Sequence, residues 1–155
     1  MLLPSAMTID FKHLVVAIDF ASPSQCALDA AIELARRFDS HVTLVHVYEI
    51  PAYAYSEMTY ATADLFRPMQ KLASESLEKT RREVEQRLPG TEAVLRCGLP
   101  ATEILSVIEE VHPDLVVIGT HGRTGVKHLF LGSVAEKVVR LSPVPVLTMH
   151  EAKRS

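Results

Sequence analysis

Four consecutive apolar residues, Leu115-Val-Val-Ile118, stand between Pro113-Asp114 and Gly119. A run so short, with no polar position, predicts a strand buried on both faces, the habit of a central strand in a parallel sheet. Parallel neighbours need crossover connections of a dozen or more residues, usually helices. The chain supplies both. His13–Asp19 (HLVVAID) is a β-branched run ending at a turn, and His41–Tyr48 (HVTLVHVY) alternates in part. Thr91–Cys97 reads as a third strand with one wetter face, and Val144–Met149 (VPVLTM) as the fifth.

Helical signals fill the gaps. Ser22-Pro23-Ser24-Gln25 predicts a helix start, with Ser22 as N-cap, Pro23 in the first helical position and Gln25 closing a capping box. Cys26, Ala30, Leu34 and Phe38 recur every four residues beside Ala27, Ala31 and Ala35, a broad small-residue face suited to a sheet. Residues 50–63, with Tyr53, Tyr55 and Tyr60, read as a loop. A charged helix is expected over about 64–88, where Pro68 is tolerable only near the start and Pro89-Gly90 stops it. Pro100 opens a third helix with Ile104, Leu105, Ile108 and Val111 inward, and Ser133-Val-Ala-Glu136 has the form of a second capping box.

The order β-α-β-α-β-α-β-α-β argues one α/β domain over residues 1–155, with a core at about 11–150. Expected is an open five-stranded parallel sheet with helices on both faces. Setting the two most apolar strands, the first and fourth, side by side gives the order 3-2-1-4-5. Pro145 cannot donate to a ladder, which favours an edge for the last strand. In such a sheet a ligand lies beyond the carboxyl ends of the strands where the winding reverses, here between Asp19 and Gly119.

Charge and composition narrow the partners. A net charge of -3 gives no general attraction to nucleic acid or anionic membrane. No apolar run reaches the roughly 20 residues of a membrane span, and Met1-Leu2-Leu3-Pro4 lacks a basic leader. Cys26 and Cys97 are too few for a disulfide scaffold and suit a reducing compartment, so a cytoplasmic protein is expected. The seven histidines show no HxxxH or HxxEH spacing, and no protein metal site is expected.

Four of the six glycines fall within residues 119–132, in GTHGRTGVKHLFLG. Missing Cβ atoms at Gly119 and Gly122 let main-chain amides approach phosphate oxygens. Gly132-Ser133 opens a helix whose first N–H groups, at residues 133 to 136, face the same crevice. The Ser133 hydroxyl can meet a phosphate or serve as N-cap. Asp19 can contact the ligand or close an Asx turn. Arg123, Lys127, His121 and His128 can neutralise phosphate or remain solvated. The chain lacks GxGxxG after its first strand and lacks GxxxxGK[ST], so neither a dinucleotide fingerprint nor a P-loop is present. A phospho-acceptor receiver would need Asp where Arg96-Cys97-Gly98 stands, and a Lys in the last strand.

Gly119-x2-Gly122-x9-Gly132-Ser133, with VVAIDFAS, VTLVHV, LGSVAEKVVR and SPVPVLTM, resembles the ATP-binding branch of the universal stress protein family over nearly the whole chain. The resemblance implies an ATP-binding regulatory module of stress response, usually a homodimer through the last strand. It carries Ala17, Ile18 and Asp19 to the adenine and ribose side, and Val47 to the adenine edge. Ile118 would pack on the nucleotide, while Gly119, Gly122, Gly132, Ser133 and Val134 would hold ribose and phosphates, with Arg123 beside them. Ala135 stands where some relatives have Thr. Any Mg²⁺ would arrive with ATP, and the protein partner is not specified. The alternative is a slow ATPase or phosphotransferase on the same site, for which Asp19, His121 and His128 are the available polar groups.

Overall fold

The computed structural model describes residues 9–51, 60–121 and 131–151. Strand β1 (His13–Ala17) leads to helix α1 (Ser22–Phe38), then β2 (His41–Tyr48), α2 (Tyr60–Glu85) and β3 (Glu92–Cys97). Helix α3 (Pro100–Val111), β4 (Leu115–Gly119), α4 (Ser133–Leu141) and β5 (Val146–Met149) complete the chain. All four strand pairings are parallel and the order is β3-β2-β1-β4-β5, as the apolarity of the first and fourth runs required. Val15 sits opposite Thr43 on one side and Val116 on the other, in the middle of the sheet.

Alternation along the central strands feeds two cores. Leu14, Val16, Ile18, Leu44 and Val117 join Ala27, Ala31, Ile32, Leu77 and Val84 of α1 and α2. Val15, Ala17, Val45, Val116 and Ile118 join Ala101, Ile104, Val107, Ala135 and Val138 of α3 and α4. Two helices therefore cover each face, and strands with no polar residue on either side are stable only between such layers.

Local details depart from expectation. Helix α1 begins at Ser22 with Ala21 as its N-cap, and no side chain caps it. Gln25 Nε2 turns forward to Asp29 Oδ1 (3.4 Å) instead of closing a box. The buried hydroxyl of Ser24 supplies the local bond instead, donating to the Ala21 carbonyl (3.0 Å). The inward face is Ala27, Leu28, Ala31, Ile32 and Ala35, leaving Cys26 and Ala30 at its margin. Ala27, Ala31 and Ala35 border two apolar rows, and the sheet takes the row with Leu28 and Ile32. Helix α2 starts at Tyr60, so the expected loop ends sooner and Pro68 lies well inside the helix. A proline there forgoes its bond to the carbonyl four residues back. The flanking Leu65, Met69 and Leu72 are exposed. Residues 52–59 of the expected loop lie outside the described residues. Strand β5 begins at Val146, because the Val144 N–H turns to Ser142 Oγ (3.2 Å) and Pro145 has none to give.

At the amino end of the sheet His13 and His41 are paired in register, with ring centroids 5.0 Å apart. His13 Nε2 meets Thr43 Oγ1 at 2.8 Å, and His41 Nε2 lies 3.2 Å from Glu92 Oε2. Burial, and then the neighbouring His41, hold His13 below the usual histidine range, against opposing pulls from Glu92, the Val111 backbone and Asp114. The unfolded chain then binds the proton more readily than the folded one, so stability is full above about pH 6.5 and falls as pH drops toward the lowered folded value. Replacing His13 with Gln should shrink the loss of unfolding free energy between about pH 7.5 and 5.5, measured by urea titration at each pH. Equal losses in the two proteins would refute this assignment.

Candidate functional site

The carboxyl ends of β1 and β4 lie side by side, with Ala17 opposite Ile118. Both side chains belong to the α3–α4 face, where Val47 and Val134 pack against the same cluster. Four of the expected residues thus share one apolar face. Ile18 departs from them: its side chain enters the opposite core, and only its main chain lies at the strand end. Its N–H donates to the Val45 carbonyl (2.8 Å), extending the β1 ladder by one residue.

Asp19 closes an Asx turn, its Oδ1 accepting the Ala21 N–H at 2.9 Å. Its own N–H reaches Ser24 Oγ at 3.3 Å. The turn is structural and also sets the direction of the carboxylate.

The two described glycines of the motif serve protein packing. A Cβ on Gly119 would stand 2.6 Å from the Pro23 carbonyl carbon and 2.8 Å from the Ser24 nitrogen, so the first turn of α1 occupies that space. Neither Gly119 nor Gly132 has a positive φ. A Cβ on Gly132 would stand 2.7 Å from the Thr120 oxygen, and the Gly132 N–H donates to that same oxygen at 2.5 Å. In both places the missing side chain lets backbone meet backbone. Gly122 and Arg123 lie outside the described residues, as do Lys127 and His128.

Helix α4 places Gly132 at its N-cap and Ser133 in its first turn, with no side chain capping the end among the described residues. The expected Ser133–Glu136 box is therefore absent, and the Ser133 hydroxyl is released from capping. Glu136 N–H donates to the Gly132 carbonyl at 2.8 Å, so the expected set of free donors shrinks to residues 133–135. A helix start of this kind attracts anions through its N–H groups and its dipole.

Thr120 was not singled out by sequence, yet it joins three elements. Its N–H donates to the Met149 carbonyl (2.7 Å), its carbonyl receives Gly132, and its Oγ1 lies 2.9 Å from His121 Nδ1. Among the described residues, buried His121 Nε2 has no hydrogen-bond partner. Only the position of Thr120, directly after an apolar strand, could have pointed to it.

The sequence profile of the Universal stress protein family matches residues 10–150. The chain belongs to the universal stress protein family. It is 31% identical over 147 residues to universal stress protein YxiE of Bacillus subtilis, covering 90% of this chain and 99% of that one. Its fold is that of universal stress protein UspA from Lactobacillus plantarum, with TM-score 0.80, 20% identity and coverage of 92% and 99%. Similar folds occur in a universal stress protein in complex with cAMP (TM-score 0.65, 23% identity, coverage 92% and 99%). Another is the universal stress protein of Archaeoglobus fulgidus in complex with dAMP (TM-score 0.61, 20% identity, coverage 92% and 99%).

Gly119→Ala should destabilise this universal stress protein by about 1–3 kcal/mol, the range for forcing a methylene into filled space. Denaturant unfolding at neutral pH measures it. Wild-type stability in the variant would show that the α1 turn moves aside freely.

Proposed function

We propose that this universal stress protein binds an adenine nucleotide, ATP in particular, as a nucleotide-dependent regulatory module. One observation carries the reading. The apolar group Ala17, Val47, Ile118 and Val134 lies on the face to which α4 belongs, and no side chain among the described residues caps the start of that helix. A purine suits the first feature, and phosphate oxygens suit the amides of residues 133–135. The nucleotide complexes of the structural relatives support the same choice. Asp19, at the end of β1, is assigned to the ribose, and Ser133 to a phosphate. Mg²⁺ enters with the triphosphate, in keeping with its preference for phosphate and water ligands. The reading assigns no catalytic residue: occupancy alone alters the surface that a partner meets. Strand β5 is a sheet edge with one pairing, to β4, and we assign it to a homodimer contact in the cytoplasm.

Calorimetric titration of nucleotide-stripped protein with ATP should give micromolar affinity, about -8 kcal/mol. Absence of heat up to about millimolar ATP would overturn the proposal. Ser133→Pro is the variant of choice. Proline is favoured at a first helical position, and Gly132 already has φ -58° and ψ 155°, the extended conformation a residue before proline prefers. The change removes one N–H and one hydroxyl and should weaken ATP about tenfold or more while the helix persists. Sedimentation tests the dimer separately: a species of twice 17.1 kDa is expected, and a monomer at micromolar concentration refutes that part.

A further inference from the structure

The turn between β1 and α1 carries a feature that binding alone does not explain. Phe20 has φ 65°, a left-handed backbone that bulky residues enter only under strain. Glycine or asparagine would fit there with little strain. The Phe20 ring, 36% exposed, is tilted over the imidazole of His46 with centroids 4.5 Å apart. His46, only 7% exposed, comes from β2, and its Nδ1 lies 2.7 Å from the Ile18 carbonyl. A carbonyl can only accept, so Nδ1 carries the proton. One imidazole thus holds both neighbours of Asp19, by a hydrogen bond to Ile18 and by ring contact with Phe20.

We propose that His46 and Phe20 are positioning residues for the nucleotide site, fixing the turn that presents Asp19. This rests on the reading of Asp19 as a ribose contact. The turn has further ties at Ile18 N–H to Val45, at Asp19 N–H to Ser24 Oγ and at Asp19 Oδ1 to Ala21 N–H. None of these three meets the Ile18 carbonyl or the Phe20 ring, so His46 adds the contacts that hold those two groups. Its side chain shares the α1–α2 face with Leu44, whereas Val47 lies on the other face. His46 therefore acts through the main chain of residues 18–20.

The test compares His46→Asn, His46→Gln and Phe20→Asn by ATP calorimetry and thermal unfolding. Asn places an N–H where Nδ1 stands, whereas Gln reaches toward the Nε2 position. His46→Asn should keep ATP affinity within about threefold of wild type, and His46→Gln should lose about tenfold. Phe20→Asn keeps the left-handed backbone without the ring. It should unfold within a few degrees of wild type and bind ATP several-fold more weakly. Equal affinity in His46→Gln, Phe20→Asn and wild type would overturn the positioning role and leave nucleotide binding intact. A wild type that binds no nucleotide would overturn both. A ¹⁵N NMR spectrum showing His46 protonated at Nε2 alone would overturn the role independently of any ligand.

Discussion

The missing side chain at Gly119 governs the layout of this end of the sheet. Helix α1 must start close to the end of β4, because Ala27, Ala31 and Ala35 draw the helix onto the sheet. Its first turn then runs through the space a Cβ would need. Any other residue at the end of β4 would force helix and strand apart, and the Asp19–Ser24 turn would have to adjust with them. The glycine is thus a packing requirement first. Its proximity to the candidate site follows, since the switch in winding puts the start of α1 and the end of β4 in one place.

Much of the architecture was legible. Leu115–Ile118 and Leu14–Val16 lack polar residues on both faces, and only a doubly covered parallel sheet accepts such strands. Placing them together fixed the strand order. Turn chemistry was less legible, because Ser, Gln and Glu at suggestive spacings do not show which hydroxyl the backbone will use. Ala21 took the cap position foreseen for Ser22, and Gly132 took the one foreseen for Ser133. The face of α1 was misread by one residue, since two rows of apolar residues flank the same alanines.

The grouping of residues at the candidate site was legible in part, and the packing behind it less so. Ala17, Val47, Ile118 and Val134 do gather on one face, as a strand-end site needs. Ile18 does not join them, since strand alternation sends its side chain to the other core. Sequence spacing could not reveal that Gly132 uses its own N–H within the protein, or that His46 reaches across strands to Ile18. Both bonds join residues brought together only by the folded chain. The buried histidine on β2 carried one faint signal, a polar residue set between Val45 and Val47.

Thr120 offers a last consequence. Its backbone faces two ways, taking the end of β5 through its N–H and the start of α4 through its carbonyl. The outer strand of the sheet and the start of α4 are therefore both bonded to one residue. A ligand that shifts α4 must disturb the same amino acid as a chain that docks on β5. If the two events differ in free energy when combined, reciprocity follows: each changes the affinity of the other by an identical factor.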